Sequence, residues 1–173
     1  MVRSQVLLVD AEDRPTGIAG KQEAHRLGLR HRALSVFLVN GAGELLVQRR
    51  ALGKYHSGGL WANACCSHPL PDEAPHEAAL RRLPEELGVT CELRGVGMFS
   101  YRAEVGNGLV EDEVVHLFAG IFDGSLTPDP EEVAEWRWLS AGRLFDELNR
   151  AEDGFAPWFR LYLEHFGARI FDL

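Results

Sequence analysis

No apolar run in this sequence is long enough to cross a bilayer. The longest, such as "ALSVFLV" at 33–39, is far short of the roughly 20 residues a spanning helix needs. Positive charge is also in short supply: 18 Lys and Arg face 26 Asp and Glu, for a net charge of −8. That balance excludes nucleic acid as the main partner, though an acidic protein can still carry a local cationic pocket for an anionic ligand. Cysteines are few, three in all with two of them adjacent, which makes a poor disulfide framework. In a reducing compartment such thiols are buried, metal-bound or catalytic. The opening "MVRSQVLLVDAEDRP" puts Asp10 directly after a short apolar run. It does not read as a secretory signal, so a cytoplasmic location is expected. Repeats, low-complexity tracts and linker-like stretches are missing too. What remains, 46% apolar and 25% charged over 173 residues, predicts one globular domain over 1–173 with its own core.

Pattern and punctuation predict the elements. "QVLLV" at 5–9 reads as a strand and "DAEDRPTG" at 10–17 as a turn, with Pro15 and Gly17 as breakers. Residues 33–50 read as a hairpin around Asn-Gly-Ala-Gly. "GKYHSGG" at 53–59 is a glycine-rich loop that leads into "LWANACC", read as one strand. Residues 73–87 predict a helix with Pro75 in its first turn and Gly88 just beyond its end. Pro84 conflicts with that helix, since an interior proline removes a hydrogen bond and costs roughly 3 kcal/mol. A kink or strong tertiary support is therefore expected there. Strands follow at 91–101, 113–122 and 133–139, and helices at 140–150 and 157–167. The expected class is mixed α/β (α+β), a mixed sheet sandwiched between helices.

Three local patterns carry chemistry. In "SHPLPDEAPHEAALRRLPEELGV" at 67–89, Arg82 and Glu86 are i,i+4 and share one helix face. A cation beside a carboxylate suits a diphosphate with its magnesium. An ordinary amphipathic helix with a solvated charged face accounts equally well for the spacing alone. In "VEDEV" at 110–114, strand alternation puts Glu111 and Glu113 on one face and Asp112 on the other. Two such carboxylates repel unless a cation lies between them. In "WANACCSHP" at 61–69, the same alternation puts Cys66 with His68 and turns Cys65 away. Cys66 is then the candidate for chemistry and Cys65 a small packing residue. Imidazoles from His25, His31 and His68 with Glu111 and Glu113 would make a five-donor N/O set, suited to Mn²⁺, Mg²⁺ or Zn²⁺. His56, His76 and His165 are expected to stand outside it.

Residues 67–89 resemble the Nudix box. Glu73, Arg81, Leu83, Glu85, Glu86, Gly88 and Val89 fall on its pattern, while Ser67 replaces its first Gly and Arg82 a box Glu. Taken with "PTGIAGKQEAH", "LLVQRRALGK", "GLWANACCSHP", "YRAEVGNGLVEDEV" and "FAPW", the chain resembles type I isopentenyl diphosphate isomerase over nearly its full length. The Arg82 departure belongs to that family's pattern and argues against the alternative, a Nudix diphosphohydrolase. The resemblance implies a Nudix-type fold and a metal site at His25, His31, His68, Glu111 and Glu113. It implies Cys66 and Glu113 as the catalytic pair, with Tyr101 beside the glutamate. It further implies Glu86 on the Mg²⁺ of the diphosphate, Lys21, Arg50, Lys54 and Arg82 around it, and Trp61 and Trp158 around the hydrocarbon. The expected partner is a small prenyl diphosphate, bound by a monomer that needs neither nucleic acid nor membrane.

The opposite facing of the two thiols yields the first prediction. Cys66→Ala should abolish turnover, whereas Cys65→Ala should mainly lower the melting temperature. Equal loss of activity in both variants, with both folded, would contradict the assignment.

Overall fold

A strand that is apolar on both of its faces must be covered on both, and "ALSVFLV", with Ser35 its one polar residue, is such a strand. The computed structural model describes residues 4–151 and 154–172. The apolar run lies in β3 (His31–Val39), at the centre of a mixed sheet. One edge of β3 meets β1 (Gln5–Val9) at His31, β6 (Cys65–Ser67) at Leu34–Val36, and β4 (Leu45–Arg50) at Val39. Along its other edge β8 (Leu109–Ile121) runs parallel to it, from His31 opposite Glu113 to Val39 opposite Ile121. β7 (Arg94–Gly106) pairs antiparallel with β8. β5 (Trp61–Asn63) and β9 (Val133–Leu139) flank β4, and β2 (Pro15–Gly20) pairs with β1.

Side-chain alternation divides the core in two. Leu34, Val36 and Leu38 face α2 (Pro75–Leu87), packing with Ala78, Ala79, Leu83 and Leu87. Ala33, Phe37 and Val39 point the other way, toward Leu144 and Leu148 of α3 (Ala141–Arg150) and Trp158, Phe159 and Tyr162 of α4 (Pro157–Phe171). Full burial of each large apolar side chain is worth about 1.5–3 kcal/mol, so both helix layers are held by the same strand. A mixed sheet between helices is the class expected from the sequence. No helix among the described residues is long and apolar enough to span a membrane.

Several expected boundaries move, each for a physical reason. The 10–17 turn ends early, because Pro15 begins the exposed strand β2, where a proline at the first position costs no ladder bond. The next segment forms the short helix α1 (Lys21–Leu27), which was not predicted. Its two turns are too polar to show an apolar stripe and depend on burial of Ala24 and His25. The single strand expected over "LWANACC" is two strands, since β5 pairs with β4 and β6 with β3. Asn63 spans the break, its side-chain amide donating to the Val36 and Cys65 carbonyls at 3.1 Å each. β7 and β8 extend well beyond the expected 91–101 and 113–122, up to a two-residue Asn107–Gly108 turn with φ of 55° and 71°. Asn-Gly is the preferred pair for such a turn. Pro84 is tolerated because it is exposed while neighbouring Leu83 and Leu87 are buried, so tertiary packing supplies the expected support.

Gly88 ends α2 with φ +66°, donating its N–H to the Pro84 carbonyl at 3.0 Å. A Cβ there would meet Thr127 Oγ1 at 1.9 Å. Gly43 has a similar φ of +73° with open space around it. Gly43→Ala should cost only the left-handed strain, about 1–2 kcal/mol. Gly88→Ala should cost clearly more by urea unfolding, and equal losses would show that the close approach carries no energy.

Candidate active site

One cleft collects most of the residues singled out above. It is lined among others by Lys21, Arg50, Lys54, Cys66, His68, Arg82, Glu86, Tyr101, Glu111, Glu113 and Trp158. The register of β3 explains how. Leu34–Val36 pair with β6 on one edge and with β8 on the other, so Cys66 and Glu113 reach the cleft from opposite sides of the central strand. The alternation predicted for the thiols holds: Cys65 packs in the α2-side core and Cys66 against the α4-side core. The alternation of β8 also holds, because Asp112 turns away to Arg30 at 2.7 Å and Arg102 at 3.2 Å.

Glu111 and Glu113 are both buried, and Tyr101 joins them, its hydroxyl 2.7 Å from Glu111 Oε2 and 2.8 Å from Glu113 Oε2. Burial and the charge of Glu113 raise Glu111 well above the carboxylate range. Burial pushes Glu113 the same way, but His25, His31 and His68 outweigh it and hold Glu113 ionised. The Tyr101 hydroxyl thus bridges the two carboxylates, its one hydrogen shared between their Oε2 atoms.

Three imidazoles converge on Glu113. His31 Nδ1 is 2.7 Å from the Leu29 carbonyl. A carbonyl only accepts, so Nδ1 carries the hydrogen and Nε2 is bare. That bare Nε2 lies 3.4 Å from Glu113 Oε1 and 3.2 Å from His68 Nε2. His25 Nε2 is buried with no hydrogen-bond partner, while its Nδ1 lies 2.9 Å from the Tyr55 hydroxyl. Burial holds His68 down to about 3, that is, neutral. Donor atoms of His25, His31, His68 and Glu113 all lie within 4.8 Å of one another. Imidazoles and a carboxylate converging in a dry site, with an orphaned nitrogen among them, fit a divalent cation.

The thiol is set between two small polar groups. Cys66 Sγ donates to Asn63 Oδ1 at 3.2 Å and accepts from the Ser35 hydroxyl at 3.3 Å. Burial pushes it up to about 12, although Ser35, Arg50 and Asn63 pull the other way, so at neutral pH it holds its proton. The other end of the cleft is charged. Arg82 donates to Glu86 at 2.6 Å, to Glu85 at 2.5 Å and to the Ser67 hydroxyl at 3.1 Å. Lys54 pairs with Glu132. Burial raises Glu86 despite Arg82, and burial together with Lys54 lowers Lys21. Arg50 stacks over Trp158, 5.2 Å from the ring centre.

Two expectations change. Trp61 does not line the cleft; its indole lies under the Arg137 guanidinium at 4.1 Å, and its carbonyl accepts from the Ala156 N–H at 2.8 Å. It thereby anchors the segment that leads into Trp158. His56, expected to stand outside, is buried in the site with Nε2 3.4 Å from Glu111 Oε1. His76 and His165 lie apart, at the Leu93 and Leu161 carbonyls. Tyr55, Tyr162 and Glu132 were also missed. No spacing marks Glu132 among its acidic neighbours, whereas the glycine-rich loop around Tyr55 and His56 was visible as a feature without a role.

A NUDIX domain model matches residues 29–160. The chain is 49% identical over 169 residues to the isopentenyl-diphosphate Delta-isomerase of Burkholderia multivorans, covering 98% of this chain and 96% of that one. Isopentenyl-diphosphate Delta-isomerase 2 of Aromatoleum aromaticum is 44% identical over 163 residues, with 94% and 86% covered. Among solved structures, the MutT protein of Methanosarcina mazei superposes with a TM-score of 0.66 at 21% identity, covering 81% of this chain and 94% of that one. The MutT NUDIX hydrolase of Burkholderia pseudomallei gives 0.61 at 19%, with 78% and 96% covered. At those identities the superpositions speak for the fold alone.

A thiol held near 12 has a distinctive pH response. Below that value its thiolate fraction rises tenfold per pH unit, whereas an ordinary thiol levels off above about pH 9. Iodoacetamide labelling of Cys66, followed by mass spectrometry, should climb without a plateau from pH 7 to 10. At pH 7.5 it should run roughly 100- to 1,000-fold below a free thiol. A plateau near pH 8 would mean that the thiol is activated.

Proposed function

Because the chain belongs to the NUDIX domain family and, within it, to the isopentenyl-diphosphate Delta-isomerases, we propose a residue-by-residue division of its reaction. The enzyme interconverts isopentenyl diphosphate and dimethylallyl diphosphate. Protonation at C4 and deprotonation at C2 pass through, or close to, a tertiary carbocation. Such a step needs a proton donor and an acceptor on two sides of a water-excluded alkene. The observation that carries the proposal is the approach of Cys66 and Glu113 from opposite edges of β3 into one cleft.

Cys66 and Glu113 exchange the two protons at Sγ and a carboxylate oxygen. Each is donor in one direction of the reversible reaction and acceptor in the other. Tyr101, 2.8 Å from Glu113, passes a proton to or from it. Asn63 and Ser35 aim the thiol. The Trp158 face stabilises positive charge near C3, on the order of 2 kcal/mol when desolvated. Lys21, Arg50, Lys54 and Arg82 hold the diphosphate and fix the alkene between the two proton-transfer groups. His25, His31, His68, Glu111 and Glu113 would hold Mn²⁺, Mg²⁺ or Zn²⁺, and Glu86 the Mg²⁺ that accompanies the diphosphate. When bound, the first ion supplies positive charge that orients Glu113 and tunes its acidity. The working unit proposed is the monomer. The unpaired adjacent thiols Cys65 and Cys66 support a reducing, cytoplasmic setting.

Isopentenyl diphosphate turned over in D₂O with Mg²⁺ should become dimethylallyl diphosphate with deuterium in a methyl group, because the proton added at C4 comes from a group that exchanges with solvent. Phosphate release should stay at background. Glu113→Gln should stop both isomerisation and label uptake. Arg82→Glu should weaken diphosphate binding without creating efficient hydrolysis. Stoichiometric phosphate release with no label in carbon would overturn the reading in favour of a diphosphohydrolase.

A further inference from the structure

The loop between β4 and β5 places His56 against the same centre, and its hydrogen bonds determine which nitrogen is free. The Ser57 hydroxyl donates to the Val105 carbonyl at 3.1 Å. Its only hydrogen is thus committed, and toward its other neighbour the oxygen can only accept. That neighbour is His56 Nδ1, at 3.4 Å. Nδ1 therefore carries the ring hydrogen and Nε2 is bare, as at His31, where the Leu29 carbonyl does the same work directly. The bare Nε2 faces Glu111 Oε1 at 3.4 Å. Glu111 Oε2 is already engaged, accepting from the Tyr101 hydroxyl at 2.7 Å. Two acceptors thus face each other in a buried site, an arrangement that a cation between them relieves.

Three further observations agree. His25, His56 and Glu111 form a second group of buried donors within 4.8 Å of one another, and it shares His25 with the first group. The His56 ring makes edge contacts with His25 at 5.3 Å and with Trp158 at 5.8 Å, so it is held in place from both sides. Ser57 has φ +50°, a left-handed conformation rare for serine. The following Gly58 could not carry a Cβ, which would meet the Leu52 carbonyl oxygen at 2.8 Å. The loop is thus tightly constrained where the Ser57 relay is made.

We propose that His56 is a further donor to the His/Glu metal centre, with Ser57 fixing its tautomer. The set becomes His25, His31, His56, His68, Glu111 and Glu113. Six donors fill the coordination demand of an ion such as Mg²⁺ or Mn²⁺. The inference rests on reading the cluster as a metal centre, and the test separates the two.

The full chain, stripped with a chelator, is titrated with Mn²⁺ in competition with a fluorescent chelator. The Mn²⁺-loaded protein is also examined by pulsed EPR for coupled imidazole ¹⁴N. Wild type should show four imidazoles. His56→Ala and the bulkier His56→Gln should show three and bind Mn²⁺ about 10- to 100-fold more weakly. Ser57→Ala should weaken binding less, since it frees the tautomer without removing the donor. Three coupled imidazoles in wild type, or unchanged affinity in folded His56→Gln, would overturn the proposal. His31→Ala is the reference: if it too binds Mn²⁺ as wild type does, the metal-centre reading itself fails. If it loses the ion while the His56 variants keep it, only the role of His56 falls.

Discussion

Two carboxylates buried side by side in a dry site repel each other, and the cleft is organised around that repulsion. Glu111 and Glu113 share one face of β8 and are nearly inaccessible to water. Leaving both ionised without compensation would be costly. The structure answers with Tyr101 between them, with imidazoles beside Glu113, and with burial and its neighbour's charge raising Glu111 toward its neutral form. Every one of those groups comes from a different part of the chain. Moving β7, α1 or β6 relative to β8 would remove one compensation and leave a buried charge exposed to its neighbour.

The charged end of the cleft follows another rule. Its cations are already paired, Arg82 with Glu86 and Lys54 with Glu132, and burial still raises Glu86. A site that must accept a multiply charged anion with its cation benefits from holding both signs in readiness. The internal pairs keep the side chains placed at little net stability, and ligand oxygens can then exchange for carboxylate oxygens. Glu73 and Arg81, which also fall on the Nudix-box pattern, do something different. They bind each other at 2.6 and 2.7 Å, and Glu73 accepts from the Leu70 N–H. That arrangement secures the entry of α2, and through it the position of Arg82.

Both faces of the sheet lend groups to the cleft, Arg82 and Glu86 from α2 among them, but they differ in how they pack. On the α2 side the packing is almost wholly apolar, Cys65 included. On the α4 side the apolar core gives way to Ser35, Cys66, Tyr101, Tyr162 and Trp158 as the cleft is approached. Adjacent thiols therefore meet different surroundings because a strand alternates, and no separate device is needed to distinguish them.

Alternation and helical spacing are local properties, and the sequence by itself determined what depends on them. The apolar run of β3, the opposite facing of Cys65 and Cys66, the shared face of Glu111 and Glu113, and the pairing of Arg82 with Glu86 were all legible. So were the ends of β9 and the span of α2 to within two residues. Tertiary structure decided whatever depends on distant segments meeting. The helix α1 has no apolar stripe and forms where His25 can be buried. Trp61 could not be placed from pleat parity, since the strand carrying it breaks at Ala64 and changes partners. His56 and Glu132 lie in loops, where no period relates a residue to its neighbours. Their positions follow from the Val105 carbonyl, Ser57 and Lys54, contacts that only the folded chain brings together.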